Sequence, residues 1–191
     1  MIRIAVVGDI GSGKSYVARK FGYPVFNADK EVSKIYKKNR KCYVKLRKAL
    51  HNHITSFPVK KSELSKAIIS NNYNLEKIIK IVHPEIRKKM NNFIKKNKNN
   101  KIVVLDIPLL IENNINKKKD VIVFVDGKKT EVTKRLRKRV NFNPKIVKIL
   151  RKFQLPLEKK RRKSNFIIKN NFKDNSVKKN IKNILFKIIN D

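Results

Sequence analysis

Acidic residues are scarce: 14 Asp and Glu stand against 50 Lys and Arg, giving a formal net charge of +36 over 191 residues. Cysteine is almost missing. Cys42 stands alone, so no internal disulfide can form, and a reducing cytoplasm is the expected setting. With no second cysteine and only His51, His53 and His83, no zinc-binding set suggests itself. No apolar run nears the roughly 20 residues that cross a bilayer. The apolar run at the N-terminus is too short for a signal peptide. The chain has no internal repeat. Glycine is rare as well, but three of the five, Gly8, Gly11 and Gly13, fall in one short stretch. The length fits one compact domain, with a sizeable core and room for a small insertion.

The excess of positive charge has two readings. Basic proteins gain affinity for nucleic acids by releasing counterions from phosphates. Here, however, the lysines are scattered along every segment, among many Asn and Ile. Aromatic residues are not interleaved with them as a stacking platform requires. The scatter favours biased composition over a specific nucleic-acid site. Such a surface still attracts anionic metabolites and binds RNA loosely.

The glycine-rich stretch, Gly8-Asp9-Ile10-Gly11-Ser12-Gly13-Lys14-Ser15, fits the phosphate-loop pattern G-x-x-x-x-G-K-[ST]. An apolar run, Ile2 to Val7, precedes it as a buried strand, and a helical segment, Lys14 to Phe21, follows. In that context glycines let the backbone approach a ligand, and successive N–H groups form an anion nest at a helix N-terminus. Lys14 reaches terminal phosphates and the Ser15 hydroxyl can ligate Mg²⁺. The stretch therefore points to a bound nucleoside triphosphate.

Apolar runs alternate with helical patterns along the rest of the chain, which predicts an α/β domain with a parallel sheet. Further strands are expected at Val25 to Asn27, Ile102 to Leu105, Val121 to Val125 and Asn165 to Ile168. Asp29 to Asn97 reads as a long helical block with breaks, interrupted by a loop from His51 to Val59. Ser62 is the expected N-cap of one helix, and Pro84 is expected to break or kink another just after His83. Thr130 to Arg139 reads as an arginine-dense helix in which Arg135 and Arg139 share a face. Asn143-Pro144 starts a helix with Ile146, Ile149, Leu150 and Phe153 on its apolar side. The basic run Lys159 to Lys163 follows, and Val177 to Ile189 is a final amphipathic helix. Lys169-Asn170-Asn171 is expected to be a loop.

Phosphoryl transfer needs an acceptor held in line, charge neutralised and water excluded. Asp29, just past the second strand, can hold the acceptor hydroxyl and take its proton; it can equally cap the next helix. Asp106, at the end of a buried strand, suits the carboxylate that positions Mg²⁺, or simply caps the following turn. Arg135 and Arg139 suit a lid closing on phosphate oxygens, although arginines on a charged helix are commonly just solvated. His83 either touches substrate or is structural.

Together these residues resemble the dephospho-coenzyme A kinase family over nearly the whole chain. The loop G-D-I-G-S-G-K-S is similar to the family's G-G-I-G-S-G-K-S, and Asn27-Ala28-Asp29 to its D-A-D. His83-Pro84 with Ile86 matches H-P-x-I, Asp106 to Glu112 (D-I-P-L-L-I-E) its P-L-L stretch, and Arg135 to Arg139 its R-L-x-x-R. Gln154 and Asn165 to Asn171 fall where the family has a Gln and then A-D-x-x-I-x-N.

The resemblance implies a P-loop NTPase of nucleotide-kinase type, a three-layer α/β/α domain around five parallel strands. Its core would be residues 1–30, 100–130 and 164–191, its helical coenzyme A region about 31–99, and its helical lid about 131–163. It implies transfer of the γ-phosphoryl group of ATP, with Mg²⁺, to the ribose 3′-hydroxyl of dephospho-coenzyme A. Asp29, Lys14 and Arg139 would be catalytic. Gly11, Ser12, Gly13, Lys14, Ser15, Tyr16, Arg135 and Asn170 (or Asn171) would bind ATP. Asp29, His83, Pro108, Leu109, Leu110 and Glu112 would face the acceptor, and Ser15 and Asp106 the metal. A monomer without a specific nucleic-acid partner or membrane is expected.

This chain also departs from the family. Asp9 replaces a Gly and brings negative charge near phosphates; Tyr16 replaces Thr; Asn27 replaces the first Asp of D-A-D; Lys61 falls near a usual Arg; Ser164-Asn165 replaces Ala-Asp. The alternatives are a kinase of similar fold acting on another small metabolite or nucleotide, and a basic nucleic-acid-binding P-loop protein.

Overall fold

The computed structural model describes residues 1–140 and 142–190. Its strands are β1 (Ile2–Gly8), β2 (Val25–Asn27), β3 (Ile102–Asp106), β4 (Val121–Gly127) and β5 (Phe166–Asn170). They form one sheet in the order β2-β3-β1-β4-β5, every pair parallel. The five-stranded parallel sheet is the one the sequence predicts. Its strands read as unbroken apolar runs because both faces are covered.

Side chains alternate across the sheet. On one face Ile4, Val6, Ile102, Val104, Val123, Val125 and Ile168 pack with Val17, Ala18 and Phe21 from α1 (Lys14–Lys20). Val177, Ile181 and Ile184 of α9 (Asp174–Asn190) complete that core. Each such side chain contributes about 1.5–3 kcal/mol by leaving water. The run of apolar residues at i, i+4 and i+7 on α9 is why that helix docks there. Arg3, also buried, is neutralised by Asp120 at 2.8 Å, which ties β1 to the entry of β4.

The chain clusters into two compact units. The first holds the sheet: Met1–Asn27, Asn97–Asn143 and Arg151–Asp191. The second holds Ala28–Lys96 and Pro144–Leu150. In it, α2 (Ala28–Lys38), α3 (Arg40–Ala49) and α4 (Lys61–Ser70) all pack on α5 (Asn72–Lys96). The connection between α3 and α4 is gathered by one carboxylate. Glu63 accepts from the amides of Thr55 and Ser56 at 3.1 Å each and from the Thr55 and Ser56 hydroxyls at 2.8 and 2.9 Å. It also accepts from the Lys60 amide at 3.3 Å.

Several expectations need correction. Helix α5 runs through Pro84 as one element of 25 residues, so of the break or kink expected there the break does not occur. Pro84 withholds one N–H from the ladder. The buried stripe Leu75, Ile78, Val82, Ile86 and Met90 keeps the same phase on both sides of it, so packing carries the helix across. The N-cap of α4 is Lys60, and Ser62 lies inside the helix, because Glu63 already satisfies the Lys60 amide.

Helix α6 (Lys129–Arg137) ends before Arg139, so Arg135 and Arg139 do not share a helical face. Helix α7 (Pro144–Lys152) does start at the proline, but its apolar side is only partly buried. The basic run hides a short helix, α8 (Leu157–Arg162). Lys169 and Asn170 belong to β5, because their backbones extend the ladder beside Asp126 and Gly127.

Candidate active site

Strand β1 lies between β3 and β4, so the chain crosses to the other side of it after β3. Ligands bind parallel sheets at such a switch point, outside the carboxyl ends of the strands. The loop from Gly8 to Ser15 leaves β1 there. Gly8 (φ 149°) leaves no room for a side chain: a Cβ would stand 2.6 Å from the Val125 carbonyl oxygen. Gly13, left-handed at φ 91°, is the N-cap of α1, and a Cβ on it would meet the Asn170 amide nitrogen at 2.4 Å. No side chain caps α1. The opening N–H groups of a helix have no intrahelical partner, which makes this end an anion site.

Lys14 is nearly buried and curls back over the loop, donating to the carbonyls of Asp9 (2.6 Å) and Gly8 (3.2 Å). Asn170, 2 % exposed, braces the loop from β5: its amide donates to the Ser12 carbonyl at 2.8 Å, and its carbonyl oxygen accepts from the Phe172 amide. The Arg135 guanidinium lies over the Phe172 ring, 4.5 Å from its centroid. The Tyr16 phenol donates to Asp174, which also pairs with Lys20 and Lys178 at 2.7 Å each. The Asp174 hydrogen bond is the main reason that phenol titrates above its ordinary range. Three cationic and phenolic donors around Asp174, Lys178 first, hold its carboxyl well below the usual carboxylate range.

Ser15, Asn27 and Asp106 meet where α1 begins and β2 and β3 end. The Asn27 amide donates to the Ser15 hydroxyl at 3.4 Å and, by a short contact, to the Asp106 carboxylate. Asp106 is 2 % exposed. A hydroxyl and a buried carboxylate, one side chain apart beside a phosphate cradle, are hard oxygen donors that fit Mg²⁺, whose other ligands are phosphate oxygens and water. Asn27, read from sequence only as a replaced Asp, proves to be the residue joining the two.

The remaining candidates divide. After β3, Leu110 is fully buried, so its side chain is in the core, whereas Pro108 and Leu109 are half-buried. Glu112 turns inward: it accepts from the Leu155 amide at 3.0 Å and pairs at 2.7 Å with the wholly buried Lys160 of α8. Arg139 is exposed just past the end of α6. Asp29 and His83 belong to the second unit. Asp29 is exposed as the second residue of α2, inside that helix instead of capping it. Burial, with Arg87 adding to it, pushes the His83 imidazole below its ordinary value.

Two further departures now have roles. Asn165 accepts from the Ile122 amide at 2.8 Å as β5 begins, and the Ser164 hydroxyl bonds the Lys160 carbonyl at 2.7 Å. Lys61 is exposed at the start of α4.

A parallel five-stranded sheet, a phosphate loop at its switch point and a hydroxyl–carboxylate pair beside that loop define a P-loop kinase. The dephospho-CoA kinase family model matches residues 2–176. The chain belongs to the dephospho-CoA kinase family. It is 31% identical over 187 residues to a dephospho-CoA kinase of Wolbachia pipientis wMel, covering 95% of each chain. Its fold is similar to that of TT1252 from Thermus thermophilus (TM-score 0.77, 24% identity, 97% of each chain). It is likewise similar to dephospho-CoA kinase from Campylobacter jejuni (TM-score 0.60, 23% identity, 97% of this chain and 96% of that one).

Proposed function

We propose that this chain transfers the γ-phosphoryl group of ATP to the ribose 3′-hydroxyl of dephospho-coenzyme A, giving coenzyme A and ADP. The observation that carries this reading is the Ser15–Asn27–Asp106 cluster beside the Gly8–Ser15 loop, in a chain the family model covers almost throughout. The loop amides and Lys14 bind the β- and γ-phosphates and neutralise their charge. Ser15 and Asp106 would hold Mg²⁺, which supplies further neutralisation when bound. Asp29 holds the acceptor hydroxyl and takes its proton as the new O–P bond forms and the bond to the leaving ADP oxygen breaks.

In this reading residues 31–99 hold the coenzyme portion, with His83, Pro108 and Leu109 toward the acceptor. Residues 131–163 act as a lid whose Arg135 and Arg139 add positive charge during transfer. Asn170 and Glu112 act from behind, the first bracing the loop and the second fastening Leu155 and Lys160. The enzyme works in the cytoplasm as a monomer, and its basic surface holds RNA only in the salt-labile manner of scattered charge.

A panel of acceptors tests the assignment. Purified protein with Mg-ATP is offered dephospho-coenzyme A, nucleoside monophosphates, shikimate and gluconate, and product is measured by chromatography. Turnover is expected on dephospho-coenzyme A alone. Preferred turnover on another acceptor overturns the reading.

A further inference from the structure

A carboxylate in a phosphate loop should repel the ligand that the loop exists to bind. Asp9 stands one residue after Gly8, in the middle of the cradle. Its side chain is mostly buried and engaged on both oxygens. Oδ1 accepts from the Ile10 amide at 2.7 Å and from Arg151 Nε at 3.2 Å, and Oδ2 accepts from Arg151 Nη2 at 2.7 Å. The arginine thus grips the carboxylate side-on, with two nitrogens on two oxygens, the strongest geometry for this pair. Meanwhile the Asp9 carbonyl holds Lys14 Nζ at 2.6 Å. One residue therefore engages two cations, Lys14 of the loop through its carbonyl and Arg151 through its carboxylate.

We propose that Arg151 is a positioning residue for ATP, acting through Asp9: it cancels the Asp9 charge and turns that carboxylate away from the phosphates. The inference rests on ATP as the phosphoryl donor. A phosphate group placed on this loop carries several negative charges. An uncompensated carboxylate in the loop opposes it by like-charge repulsion, which partial solvent screening weakens but does not abolish. Arg151 removes that opposition before the nucleotide arrives. Lysine at the same place keeps the charge but loses the two-pronged grip. The pair meets the loop at Asp9 alone, so its effect falls mainly on ATP affinity, although Arg151 itself belongs to the segment proposed as the lid.

Calorimetric titration with ATP tests this in the full-length protein. Arg151→Ala should weaken ATP binding about tenfold, equivalent to about 1.4 kcal/mol. Arg151→Lys should recover most of the loss. Asp9→Gly in the Arg151→Ala background should also restore affinity, because no charge is left to compensate. The Arg151→Ala defect should shrink at about 1 M salt, where charges are screened over about 3 Å. In steady state the KM for ATP should rise by a larger factor than kcat falls.

Unchanged affinity in Arg151→Ala overturns the proposal. So does a double variant as weak as Arg151→Ala, which would mean that the arginine acts on the nucleotide without Asp9. Wild-type protein that fails to bind ATP overturns both this inference and the kinase reading. Protein that shows the expected pattern but leaves dephospho-coenzyme A untouched overturns the acceptor alone.

Discussion

Asn27 and Asp106 are register partners at the ends of β2 and β3, and the amide of one donates directly to the carboxylate of the other. The same amide reaches the Ser15 hydroxyl. An amide between a hydroxyl and a carboxylate fixes both without adding charge. It donates to the carboxylate, where an aspartate at position 27 would bring a second negative charge.

Asn27→Ala removes a donor from a buried carboxylate, a loss worth about 1–3 kcal/mol. Part of that should appear as a less ordered Asp106. The expected result is a roughly tenfold fall in kcat/KM at limiting Mg²⁺, partly recovered by excess Mg²⁺, with nucleotide affinity in the absence of metal little changed. Initial rates across a Mg²⁺ series check this. A uniform loss at all Mg²⁺ concentrations would detach Asn27 from the proposed metal site.

If Asp29 is the proposed proton acceptor, Asp29→Asn should keep ATP binding and lose turnover by about a hundredfold or more, since it leaves the cradle alone. Lys14→Ala should damage both, because its ammonium belongs to the cradle. Calorimetric affinity set beside kcat separates the two. Wild-type turnover in Asp29→Asn would remove that carboxylate from the chemistry.

Glu63 makes a prediction about stability. Burial pushes its carboxyl up, but the hydroxyls of Thr55 and Ser56 and the amides of Thr55 and Lys60 outweigh it and bring it down to about 2. A carboxyl with a depressed folded-state value stabilises the protein above its unfolded value and loses that contribution as pH falls through the folded one. The window here runs from about 4.5 down to about 2. Glu63→Gln should cost about 1 kcal/mol at neutral pH, discounted for solvent screening. The gap between it and the wild type should narrow across that window in denaturant melts. A gap that does not change with pH would assign the cost to packing.

Much of this molecule is legible in its sequence. The strands announce themselves because a parallel sheet covered on both faces needs continuous apolar residues. The phosphate loop does so because few other sequences build that backbone. Features that depend on distant partners are hidden. Nothing around Asp9 points to Arg151, and nothing around Glu112 points to Lys160, since each pair is closed by the fold. Asn170 looks like a loop residue until β5 is seen to extend beside Gly127 and aim its amide at Ser12. Pro84 misleads for a different reason: local backbone chemistry argues for a break, and the phase of the buried stripe overrules it. Helix α8 is masked by its own charge, four consecutive basic residues in six.

The long helix α5 has a consequence for how its unit behaves. At 1.5 Å per residue it is a rod about 37 Å long, and α2, α3 and α4 each pack on it. Three short helices strung on one beam gain or lose their support together. Amide protons in all four should therefore exchange with solvent in a single cooperative step, and a fluorescent label on any of them would report the same event.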